Sequence, residues 1–482
     1  MSHRGETERW TGLDKDLKRV TRVEAAAMFV SRPLVGLGIG LFLIALAALA
    51  AGIVTPSGSS LVVLAAAFGA YMALNIGAND VANNMGPAVG AKALSMTGAI
   101  AIAAICESAG ALLGGSHVVA TISRGIVGPA SFQGPEAFTL TMMGGLLGAA
   151  VWVNIATWIG APVSTTHSIV GGVLGAGAAS AGVAAVSWST IAVIALSWVA
   201  APILGGVVAA LVLAGVYAAI IDRRDRVAAA RLWVPVLIGI MAAAFSTYLA
   251  MKGLNPAVRS SPGRALIVGL PVGLLAALAS RPFVERAGES ASLDTLFRLP
   301  LIVSAALLSF AHGANDVANA VGPLAAIVGA EASGTVPFAV PVPLWVMVIG
   351  AAGISFGLIL FGPRLIHMVG KQITKLNPIR ACCVALAAAV TVIGASWLGL
   401  PVSSTHTVIG GLFGVGFYRE WRADRKLGRP RVQDGLLARE ERRRRKLVRR
   451  SHFMTIVAAW AITVPAAALL SALAVQVLHR LA

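Results

Sequence analysis

A carboxylate flanked by amides occurs twice in this chain, each time within apolar sequence. The string Gly-Ala-Asn-Asp-Val-Ala-Asn occupies Gly77–Asn83 and recurs at Gly313–Asn319. An ionisable side chain in lipid is costly, so its presence at two matched positions indicates an ion-handling site. Helical spacing places the carboxylate and the later amide on one face. That face offers oxygen ligands to a hard cation such as Na⁺ and N–H donors to an anion.

This first motif supplies six candidate residues. The predicted cation-coupling residues are Asn79, Asp80, Asn315 and Asp316, with Na⁺ at Asp80 and Asp316, and the predicted substrate-binding residues are Asn83 and Asn319. The pairs Gly86-Pro87 and Gly322-Pro323 can interrupt the helix and free backbone carbonyls. The alternative interpretation is an interhelical hydrogen-bond cluster that only holds the bundle together.

A hydroxyl-rich motif is also duplicated, at Pro162–His167 and Pro401–His406. A proline follows an apolar span, then come three hydroxyls and a glycine-punctuated apolar stretch, which predicts the tip of a helical hairpin. A helix that starts there has unpaired N–H groups and a positive dipole end, so the tip suits phosphate or sulfate. Simple N-capping is the alternative. The predicted anion-binding hydroxyls are Ser164, Thr165, Thr166, Ser403, Ser404 and Thr405. His167 and His406 either anchor the tips or carry protons.

Glu107 is a third acid in apolar sequence, within Ile100–Gly115. We predict a coupling or gating role, with a buried structural hydrogen bond as the alternative. The corresponding region of the second half holds Ser355 and no acid, so any role of Glu107 is asymmetric. The three cysteines show no metal or disulfide spacing, and we predict no cofactor.

Composition describes a chain that lies mostly in a bilayer. The 482 residues are 57% hydrophobic and 12% charged, with a mean hydropathy of +0.83. We therefore predict an all-α polytopic membrane protein with about 11–13 membrane segments. The charged segment Met1–Arg32 has no early apolar core, so no cleavable signal sequence is expected.

The two motifs recur in the same order, which indicates duplication. Asn79 and Thr166 are 87 residues apart, and Asn315 and Thr405 are 90 apart. Tandem halves of opposite topology are typical of secondary transporters, so we predict two inverted repeats with discontinuous helices and helical hairpins. The predicted organisation is a cytoplasmic tail at 1–32, an extra span at 33–60, repeat 1 at 61–221, a linker with two membrane helices at 222–299, and repeat 2 at 300–482.

Loop charges predict the orientation. The segment 419–451 carries 14 Lys/Arg and 5 Asp/Glu, and the loops 222–231 and 281–298 also lean basic. Basic loops between membrane segments stay cytoplasmic or contact anionic lipid, so this loop is not interpreted as a nucleic-acid site. Counting crossings places four basic residues on the outer side, against the charge rule: Arg364, Lys371, Lys375 and Arg380.

The duplicated Gly-x-Asn-Asp and Pro-x-Ser-x-Thr-His motifs resemble the signature of the inorganic phosphate transporter (PiT) family over roughly 61–478. The resemblance implies cation-coupled symport of inorganic phosphate across the cytoplasmic membrane, by alternating access and without enzymatic activity. It implies that Asp80 and Asp316 are essential, that Ser164 and Ser403 are functional, and that Glu107 is a functional glutamate. The chain departs from some members at Ala385, where they carry a second glutamate, and in its extra N-terminal span.

Electrostatics explains why coupling is expected. Two carboxylates roughly 6 Å from phosphate would each repel it by about 3 kcal/mol per charge at an effective dielectric near 20. A bound cation or proton reverses this term, so cation and phosphate bind cooperatively. The coupling ion, Na⁺ or H⁺, stays open, as does a homodimer. The alternatives are a sulfate or related oxyanion permease, an anion channel or receptor, and, least supported, a membrane phosphatase.

Overall fold

The computed structural model describes residues 34–55, 59–161, 163–252, 261–286, 292–336, 342–372, 377–427 and 450–481. Nearly all of them are helical, and the one β-bridge in these ranges joins Val127 to Val186. Eleven helical stretches are long and apolar enough to cross a membrane. The predicted all-α, multi-pass architecture is confirmed. The tail 1–32 and most of the basic loop 419–451 lie outside the described residues.

The helices follow the predicted order. Their bounds are α1 Leu34–Val54, α2 Ser60–Gly90, α3 Met96–Gly114, α4 Ser116–Arg124, α5 Pro135–Trp158, α6 Thr165–Ala181, α7 Trp188–Val216, α8 Arg226–Lys252, α9 Pro262–Glu285, α10 Leu293–Leu296, α11 Arg298–Asp316, α12 Ala318–Ser333, α13 Leu344–Gln372, α14 Pro378–Trp397, α15 Ser404–Leu427 and α16 Arg450–Leu481. The predicted linker contains α8 and α9, which pack against each other.

Two helical hairpins, α5–α6 and α14–α15, carry the hydroxyl motifs at their tips, as predicted. Both first arms end in the same way. Gly160 and Gly399 adopt φ of 74° and 71°, a left-handed conformation that favours glycine. The next residues, Ala161 and Leu400, donate their N–H groups back to the carbonyls five residues earlier. This is the Schellman pattern, and it explains why each hydroxyl motif follows a glycine.

The two copies of the acidic motif differ in their backbone. The first lies in α2, which continues unbroken through Pro87. The second is interrupted at Val317, between α11 and α12, and Pro323 lies inside α12. The predicted interruption at the Gly-Pro pairs is therefore wrong. A proline in a membrane helix removes one backbone donor without ending the helix, because neighbouring helices support the segment.

One end of the helix bundle, the Glu331 rim, is defined by a shared carboxylate. Ser59, before α2, donates to Glu331 at 2.9 Å, and Thr139, near the start of α5, donates to Glu331 at 3.2 Å. The bridge between Val127 and Val186 joins the segments that precede α5 and follow α6. The α5–α6 hairpin therefore begins and ends at the Glu331 rim.

The opposite end, the Arg422 rim, is defined by basic side chains. The Arg422 guanidinium pairs with the carboxylate of Asp222, which follows α7. Arg380, in the first turn of α14, interacts electrostatically with Arg419 and Asp294. The α14–α15 hairpin therefore begins and ends at the Arg422 rim. The two hairpins enter from opposite ends, a relation that inverted repeats require, although the repeat symmetry itself stays a prediction.

This arrangement corrects the expected side of Arg380. The sequence count placed it opposite the basic loop, whereas it lies on the Arg422 rim beside Arg419. The reason is that α14 and α15 form one hairpin instead of two separate crossings. Arg364 and Lys371 belong to the second half of α13, and Lys375 lies outside the described residues. Arg380 therefore lies on the same side as Arg419, the side that the charge rule predicts to be cytoplasmic.

The predicted halves interlock through exchanged helices. The tip helix α6 packs against α16, the last helix of the other half, and α15 packs against α7. Likewise α2 packs against α13, and α11 packs against α3. Small residues permit the close approach, since a Cβ at Gly414 would overlap the backbone of Gly206. Each hairpin is thus held by a helix of the other half.

We predict that Gly414→Val destabilises the protein, because the added side chain must separate α15 from α7. Overpacking of this kind costs about 1–3 kcal/mol. The measurement is the unfolding midpoint in detergent. Gly394→Ala is the matched control, since a Cβ there meets nothing within 4 Å. Equal midpoints for both variants would contradict the packing.

Candidate functional site

The carboxylate of Asp80 joins the tips of both hairpins. Thr165, at the start of α6, donates to its Oδ2 at 3.0 Å, and Thr405, at the start of α15, donates to its Oδ1 at 3.1 Å. Asn79 and Asn83 donate to Oδ1 at 3.1 and 3.4 Å. Asp80 is buried, with 1% of its surface exposed. Several hydrogen bonds therefore stabilise a charge that would otherwise be costly to bury.

The first asparagine of each motif holds a hairpin turn. The Asn79 amide donates to the carbonyl of Val163 at 2.8 Å. The Asn315 amide donates to the carbonyl of Leu400 at 3.2 Å, and its oxygen accepts the N–H of Val402 at 3.2 Å. Both were predicted as cation-coupling residues. That role stays a prediction. Their side chains contact the hairpin of their own half, which fixes the tip beside the carboxylate.

The last asparagine of each motif reaches the other hairpin. Asn83 donates to the Thr405 hydroxyl at 2.7 Å. Asn319 donates to the hydroxyls of Thr165 and Thr166 at 3.4 and 3.3 Å. The candidate substrate-binding residues are therefore brought together, five of them in direct contact across the two halves. Contacts between the two halves therefore include these site residues as well as the packed helices.

The structure adds one ionisable residue that the sequence analysis did not identify, His312. Its imidazole is fully buried among three carboxylates. The nitrogen–oxygen distances are 3.0 Å to Asp316, 3.3 Å to Glu107 and 3.6 Å to Asp80. The repeat contained a signal for it, because the matched position in the first copy is Ile76. A change from an apolar to an ionisable residue inside a duplicated motif marks this position.

Glu107 belongs to this cluster. Its Oε1 accepts the Asn84 amide at 2.9 Å, and its Oε2 faces His312. Ser355, which occupies the corresponding region of the second half, instead contacts Ser108, with 2.6 Å between the hydroxyl oxygens. The asymmetry noted in the sequence is therefore present in the structure. One half supplies an acid, and the other supplies the imidazole that faces it.

The acid cluster, comprising Asp80, Glu107, Asp316 and His312, has the composition of a cation site. Three ionised carboxylates carry more negative charge than one protonated imidazole can neutralise, so the cluster keeps a net negative charge. Among the described residues, the buried oxygens Asp316 Oδ1 and Asn319 Oδ1 have no hydrogen-bond partner. Ligand atoms of Asp80, His312 and Asp316 lie within 4.8 Å of one another. A bound cation would pair these oxygens and reduce the excess negative charge.

The hairpin hydroxyls are buried, and most of them are already used. Ser164 and Ser403 accept the N–H groups of His167 and His406 at 3.2 and 3.3 Å, so both serines cap their helices. The Thr166 hydroxyl donates to the Val402 carbonyl at 3.2 Å. Ser404 is different, because its buried hydroxyl has no hydrogen-bond partner among the described residues. In this conformation an anion must compete with protein acceptors for the three threonine donors, Thr165, Thr166 and Thr405.

The two tips also touch through a stack of rings. The His167 ring stacks on Trp198, with 3.7 Å between centroids, and meets the His406 ring edge-on at 4.7 Å. The Trp198 indole donates to the Pro401 carbonyl at 3.1 Å. Trp198 belongs to α7, so one exchanged helix contacts both tips. The histidines therefore occupy positions that anchor the tips, one of the two roles predicted for them.

Buried acids that receive hairpin tips from opposite rims are characteristic of a multi-pass membrane transport protein. Comparison with known proteins specifies the class. Residues 76–471 match the model of the phosphate transporter family. The chain belongs to the phosphate transporter family. Phosphate transport, rather than enzymatic activity, is thus its class of function.

Individual relatives agree with this assignment. A Helicobacter pylori protein, "Putative phosphate permease", is 44% identical over 88% of this chain and 81% of its own length. The Arabidopsis thaliana inorganic phosphate transporter 2-1, chloroplastic, is 37% identical over 84% of this chain and 70% of its own length. A solved structure described as the sodium-dependent phosphate transporter has a TM-score of 0.78 and 33% identity, and the match covers 88% of this chain and 100% of that one.

We predict that His312→Leu destabilises the protein by about 3 kcal/mol or more, because it leaves three buried carboxylates without their imidazole. Leucine keeps the site apolar and resembles Ile76 of the first copy. The measurement is the unfolding midpoint in detergent. His479→Leu serves as control, since that histidine is exposed near the end of α16. An unchanged midpoint for His312→Leu would contradict the pairing.

Proposed function

We propose that this protein is a secondary active transporter that couples a cation to the symport of inorganic phosphate across the cytoplasmic membrane by alternating access. The observation that carries the proposal is the simultaneous bonding of Asp80 by Thr165 and Thr405. These hydroxyls belong to hairpins that enter from opposite rims. A single carboxylate is therefore in contact with the elements that lead to both sides.

The contacts of Asp80 suggest how the cation and phosphate are coupled. Each threonine hydroxyl has one hydrogen, which it gives either to Asp80 or to a phosphate oxygen. A cation bound to Asp80 and Asp316 satisfies the carboxylates by direct coordination, and the threonines are then free to donate to the anion. A hydrogen bond to a charged group is worth about 1.5–3 kcal/mol. Without the cation, phosphate would have to take both hydroxyls from Asp80 and leave the carboxylate unsatisfied. With the cation bound this cost is largely removed, and that difference couples the two ligands.

The same contacts suggest how access alternates. Each hairpin begins and ends at one rim and is clamped to an exchanged helix, α16 for α5–α6 and α7 for α14–α15. Separation of one tip from Asp80 opens the site along that hairpin, while the other tip keeps its bonds. Binding of cation and phosphate weakens the threonine–carboxylate bonds at both tips, so the loaded site is able to release either one.

Sodium is the favoured coupling ion. The neighbouring solved structure is described as sodium-dependent, and an oxygen-rich cluster with unpartnered acceptors suits Na⁺. Protons are the alternative, because carboxylates and an imidazole accept them. The basic loop is proposed to face the cytoplasm and contact anionic lipid, which places the Arg422 rim inside. A homodimer is a further proposal.

We predict that proteoliposomes with an imposed sodium gradient accumulate radiolabelled phosphate, and that Asp80→Asn and Asp316→Asn lose this accumulation. Asparagine preserves the shape of each side chain but removes its charge. The assay is run in parallel with a pH gradient and with excess sulfate, which separates proton coupling and an oxyanion permease from phosphate symport. Asp294→Asn, an exposed acid outside the cluster, is the control and should transport normally.

Accumulation that persists in both cluster variants would contradict the assignment of the aspartates. Equilibration without accumulation in the wild type would instead favour the channel alternative.

We predict that Thr405→Val slows phosphate uptake about tenfold, because a donor worth roughly 1.5 kcal/mol is lost. Thr405→Ser retains the hydroxyl and should keep most of the activity. Thr407→Val is the matched control, since the Thr407 hydroxyl donates to the Ser403 carbonyl at the N-cap of α15 and, among the described residues, to no group of the site. Initial uptake rates of purified, reconstituted variants provide the measurement. A valine variant as active as the serine variant would exclude a donor role for this hydroxyl.

A further inference from the structure

An open cleft lies beside the short helix α4, away from the acid cluster. Its volume is about 410 Å³, and the described residues that line it are Ala120, Thr121, Arg124, Gly125 and Pro129. Arg124 is the one charged residue among them, and its side chain is exposed. The cleft therefore combines an accessible space with a guanidinium group, whose planar fork suits two oxygens of an oxyanion.

The cleft borders the tip of the α14–α15 hairpin, which enters from the Arg422 rim. The Thr121 hydroxyl donates to the carbonyl of Gly399 at 2.7 Å, and Gly399 lies in the turn between α14 and α15. One residue further along α4, Ile122 packs against Gly322 of α12, three residues beyond Asn319. The cleft thus lies directly beside two elements that build the site.

The cleft lies close to the Glu331 rim, since its lining residue Pro129 is two residues beyond Val127. Arg124 ends α4, and three residues later Val127 forms the bridge with Val186 at that rim. The basic loops belong to the opposite rim, so loop charge does not account for an arginine here. Its position at the C-terminus of α4 complements the helix dipole. The helix dipole accounts for a positive charge at this position, but it does not account for the cleft beside it.

We propose that this cleft captures inorganic phosphate arriving from the Glu331 side before it reaches the hairpin tips, with Arg124 as the oxyanion-binding group. The inference rests on the proposed function and adds an entry site to it. The hydroxyl of Thr121 and the N–H of Gly125 are already donated, to Gly399 and Thr121 respectively. A site with one main donor group binds weakly, which suits capture followed by onward movement.

The test compares transport from the two sides of the full-length protein. We expect Arg124→Gln to raise the KM for phosphate about tenfold at low ionic strength when the Glu331 rim faces the substrate, with kcat within about twofold, because a charged cleft concentrates its ligand. The rise should shrink near 1 M salt, where the Debye length is about 3 Å. Intact cells and inverted membrane vesicles present the two rims separately, and KM from the Arg422 side should not change.

Matched variants keep the test decisive. Arg124→Lys retains the charge and should restore most of the affinity, whereas Arg264→Gln, an exposed arginine at the start of α9, should leave KM unchanged. If Arg124→Gln does not fold, Ala120→Glu places a negative charge in the same cleft and should also raise KM from the Glu331 side.

Several outcomes overturn the proposal. A wild-type KM in Arg124→Gln, or an equal rise from both sides, rules out capture at this rim. A changed response to phosphatidylglycerol content with unaltered KM would assign the arginine to a lipid headgroup phosphate instead. If the wild type takes up phosphate and Arg124→Gln has the same KM, only the capture site is rejected. If the wild type takes up no phosphate, the proposed function itself is rejected.

Discussion

The interaction on which the rest of the structure depends is the acceptance of two threonine hydroxyls by one buried carboxylate, that of Asp80. An unpaired charge at 1% exposure would be costly, so the donors have to be held in place. They come from hairpins that start at opposite ends of the bundle. The turn geometry at Gly160 and Gly399, the asparagine contacts and the helix packing all serve to bring these two tips to the same side chain.

Helix exchange makes this convergence robust. Each hairpin tip is bonded by an asparagine of its own half and by one of the other half, and each hairpin packs against a helix of the other half. Neither half therefore buries its polar groups alone. A duplicated chain that packed each half separately would form two incomplete sites, whereas exchange produces one site with ligands from both.

Much of this architecture was predictable, because short segments of sequence determine it. Apolar runs predict the spans, and the repeated motifs predict the hairpins and the buried acids. The pairing of tips with acids was not predictable, because a duplicated motif allows contacts within a half or between halves, and only packing decides. Asn83 and Thr405 are separated by 322 residues.

Arg380 was misplaced for a related reason, since counting crossings cannot distinguish a hairpin from two spans. His312 lies at a position that the two repeats do not share, so the duplicated motif alone did not predict it.

That difference between Ile76 and His312 has a consequence for energetics. If the halves were identical, exchanging their roles would give two end states of equal free energy, and the resting protein would face each side half of the time. One imidazole, supplied by one half and facing a glutamate supplied by the other, removes this degeneracy. Under the proposed alternating access, the two orientations surround the acids with different charge, so their free energies differ. Two differences between the halves, His312 against Ile76 and Glu107 against Ser355, thus give the proposed transport cycle a preferred orientation.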